Sequence, residues 1–407
     1  MSQGASPGAC APGSDRAASA FGGQWREQAG LAQLVERFSC KEDVVGSSPT
    51  PGSRLRILIV TNAYPAPERP AYGIYVARLV AALEREGHEV ALAASSEVGG
   101  GWRTLRKYAR LAWSARAAAR RHRPDVVWGH YLVPTGTIAR RAARGAGVPY
   151  ALTAHGTDVA NAERSPRLRK ATRAAVKDAC GVFAVSDDLA ARLDAVVGPL
   201  GDHLHVVSAG VDLDAFSPGD AEVARAALGW DADGPRIVQV GTLIPRKNVA
   251  RLLEAFALVR AEWGGGSLAL VGEGPLRAEL EARAHELGIG GAVRFAGAVE
   301  PADVPRWLRA CDAACLVSGV EGFGLAAIEA LGCGKPVVVA RGVPASAAVD
   351  EGVTGALCYA GDVAGMAAAL VRAAALDPGE VARTAAEPYS LARETARAVA
   401  VLERCLR

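Results

Sequence analysis

The sequence predicts an α/β protein of two facing Rossmann-like domains with a cleft between them and a C-terminal helix. From residue 56 onward, short and nearly continuous apolar segments alternate with helix-patterned ones. Strands of a parallel sheet covered on both faces have this pattern. The alternation pauses at residues 210–219, a turn-rich stretch with few core candidates, and then restarts. Two successive runs of βα units joined by a linker make two doubly wound domains.

The first run opens with the branched apolar segment 56–60, then a Pro-rich loop over 62–70. A helical pattern over 73–85 follows, closed by Gly87. Further strands are expected at 89–94, 125–130, 149–155, 181–186 and 205–209, with helical stretches between most of them. The second run has strands at 236–241, 268–272, 293–297, 313–318 and 336–340, each followed by a helix-like segment. Residues 390–406 read as a last helix with Ser390 as its N-cap. The expected domains are therefore 54–213, 214–388 and the helix 389–407.

Residues 1–53 differ from the rest. They are rich in Gly, Ala, Ser and Pro and carry little periodic apolar pattern, which reads as disorder. A second reading is a spurious extension. Val45-Gly46-Ser47-Ser48-Pro49 can be encoded by codons containing GGTTCAAGTCCC of a tRNA T-arm, and Ala32 to Arg37 by a D-arm-like stretch upstream. On that reading the segment is a translated tRNA gene joined through a misplaced start codon, and the nucleotide sequence tests it.

Composition narrows the classes. Half of the 407 residues are hydrophobic and 22% are charged, an ordinary globular balance. A net charge of +3 gives no argument for nucleic acid. No apolar run reaches the length of a membrane span, and no leader-like segment opens the chain, so a cytoplasmic location is expected. The eight cysteines form no CxxC pair, so no zinc site and reduced, buried thiols are expected. Residues 102–123 carry eight Lys/Arg and no acidic residue, interleaved with Trp102, Leu105, Tyr108 and Trp113. This reads either as a helix lying on a membrane surface or as a solvated helix in an Arg-rich chain.

In open α/β sheets ligands bind beyond the carboxyl ends of the strands. Gly241-Thr-Leu-Ile-Pro-Arg246-Lys247-Asn248 follows the first strand of the second run. Its glycine lets backbone approach a ligand, and its two cations precede a helix start, which suits a diphosphate. The alternative is a solvated basic turn. Ser318-Gly-Val-Glu321-Gly322-Phe323-Gly324 follows the fourth strand, and Leu325 opens the next helix. Its glycines free N–H groups for an anion, while Glu329, one turn into the helix, suits a neutral ribose diol. Glu321 then lies near whatever follows the diphosphate. A retaining hydrolase would need two carboxyls within about 5 Å of each other, and Glu329 is better suited to ribose. In the first run, His155 ends a strand at the ligand edge. Asp158 either orients it or caps the next helix, and His130 is a weaker candidate on the acceptor side.

Glu-Gly-Phe-Gly-x4-Glu, preceded by Gly-x-Leu-x3-Lys, resembles the family 4 retaining glycosyltransferases of GT-B fold (group 1 type). Tyr72-Gly73-Ile74-Tyr75-Val76, Ala154-His155-Gly156-Thr157-Asp158 and Gly210-Val211-Asp212 match as well, so the likeness covers residues 56–407. The ordered set is specific, whereas each motif alone is weak. The resemblance implies that Lys247 stabilises the donor diphosphate and Glu329 holds the ribose hydroxyls. Glu321 contacts donor-sugar hydroxyls, Gly73 shapes the loop near the phosphates, and His155 lies at the reacting sugar. It implies catalytic roles for His155, Glu321 and Lys247, and donor binding by Gly73, Gly241, Arg246, Lys247, Glu321, Gly322, Phe323, Gly324, Leu325 and Glu329. No metal or cofactor is implied, only a nucleotide diphosphate sugar as co-substrate and a glycan, lipid-linked or small-molecule hydroxyl acceptor. Pro134-Thr-Gly136 and the His-Gly-Thr-Asp block look most like enzymes of surface polysaccharide assembly. The chain departs from the family pattern at Thr242 (often Arg), Asn248 (usually Gly) and Ala345 (usually Glu after Pro344). Two other readings stay open: a nucleotide-sugar 2-epimerase of the same fold, and a non-catalytic nucleotide-sugar binding protein.

Overall fold

The computed structural model describes residues 54–97 and 102–407. The segment 1–53 and both of its readings lie outside the described residues. The first sheet contains β1 (Arg56–Thr61), β2 (Glu89–Ala94), β3 (Val126–His130), β4 (Tyr150–Ala154), β5 (Gly181–Ala184) and β6 (Leu204–Val206). All pair in parallel, in the order β2-β1-β3-β4-β5-β6. The connecting helices are α1 (Ile74–Arg85), α2 (Trp102–His122), α3 (Thr137–Ala146), α4 (Thr157–Arg164), α5 (Pro166–Val176) and α6 (Asp187–Val197). β3, β4 and β5 are buried at every residue, which is why their sequences are apolar throughout instead of alternating.

After α7 (Ala221–Leu228) the second sheet forms from β7 (Arg236–Val240), β8 (Ser267–Val271), β9 (Val293–Gly297), β10 (Ala313–Leu316), β11 (Val337–Ala340) and β12 (Gly355–Cys358). Its order is β12-β11-β10-β7-β8-β9, again parallel. Here the helices are α8 (Val249–Trp263), α9 (Arg277–Glu286), α10 (Val304–Ala310), α11 (Leu325–Gly332), α12 (Val363–Ala374) and α13 (Gly379–Ala386). β12 was not expected. Its Gly-Ala-Leu-Cys sequence has no β-branched residue, and pairing with β11 makes it a strand.

β4, β5, β7, β8 and β10 end one or two residues sooner than the apolar pattern suggests. His155, Gly241 and Gly272 are thereby the first residues of loops, and Ser318 is the second residue after β10. β6 is shorter than expected because Ser208 N–H donates to Glu394 Oε2 at 2.6 Å instead of to a strand. The strand order reverses between β1 and β3 in one sheet, and between β7 and β10 in the other. These are the switch points where an α/β sheet opens a crevice at its carboxyl edge.

The final helix, α14 (Leu391–Arg404), is capped by Ser390 Oγ, which accepts from Arg393 N–H. It returns to the first lobe. Leu391 N–H donates to Val211 O at 2.8 Å, and Ala398, Val399, Val401 and Leu402 are buried against Ile57, Ile59, Val80 and Leu83. Each fully buried Val, Leu or Ile side chain among these contributes about 1.5–3 kcal/mol. This path corrects the reading of the cysteines. Cys405 at the helix end and Cys180 beside β5 form a disulfide, with Cα atoms 5.4 Å apart across 225 residues. Cys311, Cys315, Cys333 and Cys358 are free and buried, as expected.

Candidate active site

The loop after β7 begins at Gly241 and turns through Pro245–Lys247 into α8. Lys247 Nζ donates to Glu321 Oε1 at 2.6 Å, and Arg246 Nη1 donates to Glu321 Oε2 at 2.8 Å. Glu321 lies in the loop after β10, so the pair spans the second switch point. Burial works to raise the Glu321 pKa, but the Lys247 ammonium, with Arg246 behind it, outweighs burial and holds it below the ordinary value. Asn248 adopts φ 59° and ψ 28°. Asparagine tolerates this left-handed conformation. Its Nδ2 bonds Ala360 O at 2.5 Å and Val317 O at 3.3 Å, anchoring the turn. Thr242 is exposed.

Gly324 is the N-cap of α11 and Leu325 its first residue. The first N–H groups of this helix lack intrahelical acceptors and present partial positive charge at the switch point. Phe323 is nearly buried, its ring 5.2 Å from that of Tyr389, and its carbonyl accepts from Ala345 N–H at 2.9 Å. The side chain at position 345 is fully buried and carries no carboxylate. Glu329 is also buried, and Arg78 Nη1 of α1 donates to its Oε1 at 2.7 Å.

The two lobes meet at Gly322. A Cβ there would lie 2.5 Å from His155 O, so only glycine permits this approach. Ser186 Oγ, at the start of α6, donates to Gly322 O at 2.8 Å. The loop after β10 is thus fastened directly to the loop that carries His155.

On the first lobe, Gly73 caps α1 at φ 71°, and a Cβ would collide with Ala63 O at 2.2 Å. This close contact holds the loop after β1 against the helix start. His155 Nε2 lies 3.1 Å from His130 Nδ1, and the Tyr75 and Tyr131 rings pack on His155 at 4.8 and 4.7 Å. Tyr75 Oη and Tyr131 Oη are hydrogen-bonded at 2.5 Å. Tyr131 has φ 75° and ψ 140°, a costly conformation for a residue with a side chain, held at the carboxyl end of β3. Burial lowers the His130 pKa to about 3; burial and then His130 push that of His155 well below its ordinary value. Both imidazoles are neutral at physiological pH. Burial drives Tyr131 up to about 12.

Asp158 does more than orient or cap. Its buried carboxylate accepts N–H bonds from Leu132, His155, Gly156 and Val159 at 3.0–3.1 Å, pinning the His155 loop to the loop after β3. Burial raises its pKa, and these N–H bonds oppose the rise. Arg78, Tyr131 and Ser186 were missed by sequence reasoning. Arginine in an amphipathic helix, tyrosine after a strand and serine at an N-cap carry no distinguishing signal. Asp212 and Asp214 form a turn, with Asp212 Oδ1 accepting Asp214 N–H at 3.2 Å. Among the described residues no group of three His, Cys, Asp or Glu could hold a metal ion.

The model of glycosyl transferases group 1 matches residues 220–387, and that of glycosyltransferase family 4 matches residues 73–215. A D-inositol 3-phosphate glycosyltransferase 2 of Catenulispora acidiphila is 33% identical over 319 residues, covering 69% of this chain and 74% of that protein. The chain belongs to the family 4, group 1 glycosyltransferases. A D-inositol 3-phosphate glycosyltransferase of Frankia alni is 34% identical over 266 residues, covering 61% of this chain. That match spans 65% of the relative, a little under two thirds of its length. Anabaena HepE, solved in complex with UDP-glucose, superposes with a TM-score of 0.69 at 20% identity, covering 86% of this chain and 100% of HepE. The two facing six-stranded parallel sheets are accordingly the GT-B fold. In this family 4 glycosyltransferase, one switch point carries Lys247 and Glu321, the other Gly73 and Tyr131.

Proposed function

We propose that the protein transfers a sugar from a nucleotide diphosphate sugar to a hydroxyl acceptor, with retention of anomeric configuration and without a metal ion. The observation that carries this reading is the contact of the His155 loop with Gly322, which brings the Lys247–Glu321 pair and the α11 N-terminus opposite a neutral imidazole. The cations and helix end suit a departing diphosphate, whose negative charge grows as the sugar becomes oxocarbenium-like. Glu321 faces the sugar hydroxyls and keeps Lys247 in place until the diphosphate arrives. Glu329 receives the ribose. His155, half-buried and uncharged, donates or accepts one hydrogen bond at the sugar without bringing a positive charge against the oxocarbenium. The acceptor enters from the first lobe, past Tyr75 and Tyr131, and its proton passes to the leaving phosphate. The names of the relatives support a glycosyl transfer, and HepE's UDP-glucose supports a nucleotide-sugar donor. Incubation with a panel of UDP-, GDP- and ADP-sugars tests the reading: glycoside formation supports it, whereas an epimerised donor or binding without turnover contradicts it.

We also propose that α2 contacts an anionic membrane surface and thereby reaches a lipid-linked glycan, as in surface polysaccharide assembly, from the cytoplasmic side. No described helix is long and apolar enough to cross a membrane. On the outer face of α2, Trp102, Leu105 and Trp113 are 66–75% exposed, interspersed with exposed Arg103, Arg106 and Arg116. Apolar side chains that can enter the interface, ringed by cations, suit anionic headgroups. Co-sedimentation with phosphatidylglycerol vesicles should be strong for the wild type and lost in Trp102→Ser/Trp113→Ser; equal sedimentation of both would contradict it.

A further inference from the structure

Arg78 belongs to the first lobe, yet its guanidinium reaches Glu329 in the second. The Nη1–Oε1 distance is 2.7 Å, and the side chains are only 17% and 10% exposed. The guanidinium also lies over the Phe216 ring at 5.0 Å, and Phe216, in the crossover between the lobes, is 1% exposed. Arg78 is therefore held on two sides, by a ring and by a carboxylate. From this geometry we infer that Arg78 is a specificity-determining residue for the ribose of the donor nucleotide, acting as a positioning residue through Glu329. The inference rests on the proposed role of Glu329 as the ribose acceptor.

A carboxylate offers about four acceptor positions on its two oxygens. Arg78 occupies one on Oε1 and leaves Oε2, together with the second position on Oε1, for the two hydroxyls of a ribose. A carboxylate whose rotation is already fixed loses less freedom when it accepts both hydroxyls. Arginine suits this role better than lysine because its planar group can stack on Phe216 while directing one N–H at the oxygen. Because Arg78 and Glu329 stand on different lobes, the fixed carboxylate exists only while the lobes are together. Recognition of the ribose is thereby tied to closure. The opposite outcome is also physically defined: if the ribose had to displace Arg78, the ion pair would be a latch that weakens binding.

Calorimetry of the full chain with UDP, GDP and ADP first establishes which nucleoside diphosphate binds. If none binds, the nucleotide-sugar reading itself falls, and this inference falls with it. The nucleotide that binds is then compared with its 2′-deoxy form. The wild type should prefer the ribo form by about tenfold or more, as expected where a buried carboxylate loses a hydroxyl partner. Arg78→Ala should weaken the ribo form by about tenfold and shrink the ribo/deoxy ratio to about threefold or less, with Arg78→Lys in between. In a Glu329→Gln background, Arg78→Ala should change nothing further. If Arg78→Ala fails to fold by thermal melting, the same ratio read in Arg78→Lys decides. An unchanged ratio would make Arg78 merely structural, and tighter binding of the ribo form would make it a latch. Either result overturns the inference.

Discussion

Lys247 Nζ and Glu321 Oε1 lie 2.6 Å apart, joining the loops that follow β7 and β10. Both side chains are about nine-tenths shielded from solvent, at 12% and 9% exposure. Lys247→Ala should remove a cation from the diphosphate position and weaken nucleoside diphosphate binding by about 1–3 kcal/mol. Glu321→Ala should spare binding of the bare nucleotide and damage turnover. Calorimetry showing Glu321 as important as Lys247 for the bare nucleotide would contradict this division.

The same pair gives a pH dependence. The folded Glu321 carboxyl titrates below its ordinary value of 4.5. Its contribution to stability is therefore fully present above that value and lost as pH falls through the lowered one. Thermal melts of wild type and Glu321→Gln should differ most near neutral pH and converge below 4.5. A gap that stays constant as pH falls through and below 4.5 would show that Glu321 does not titrate as described.

His130 titrates near pH 3 when folded and 6.5 ordinarily. The unfolded chain takes up its proton first, so stability is full above pH 6.5 and declines as pH falls toward 3. In His130→Asn this part of the decline should vanish, making the melting temperature less pH-dependent between 6.5 and 4. Because His130 also holds His155 at 3.1 Å, the same variant should lower kcat more than it changes nucleotide affinity. An unchanged kcat would demote the pair to packing.

Asn248 combines a left-handed backbone with two side-chain bonds. Asn248→Gly keeps the conformation and loses the bonds, whereas Asn248→Ala loses both. Stability should fall in the order wild type, Gly, Ala, the last by about 1–3 kcal/mol. Denaturant unfolding that ranks Ala above Gly would refute the assignment.

Gly322→Ala tests the contact between the lobes. The added methyl cannot fit 2.5 Å from His155 O, and backbone on both sides must shift. Turnover should drop by at least about tenfold, since small misplacements at a reacting centre are costly. Melting should change less than turnover, because the contact joins two loops and not the buried strands. Full activity would show that this approach is not used in the reaction.

The fold was legible because buried parallel strands are apolar at every position, as in β3, β4 and β5. In the second lobe the loops that carry the candidate residues were legible because they follow strand ends, with Glu329 one turn into the helix after the second of them. The residues missed depend on partners far along the chain. Arg78 meets a carboxylate 251 residues away, and Ser186 a carbonyl 136 residues away. The Cys180–Cys405 bond depends on α14 recrossing to the first lobe, a path with no local signature. Tyr131 went unnoticed because a positive φ in a residue other than Gly or Asn is imposed by tertiary structure.

The central claim is a retaining transfer in which protein cations and a helix end carry the leaving charge. Proton NMR of the glycoside made from a nucleotide sugar in the presence of EDTA tests it most directly. The account predicts product formed in chelator, with the same anomeric configuration as the donor. An inverted anomer, or activity abolished by EDTA and restored by magnesium or manganese, would contradict it.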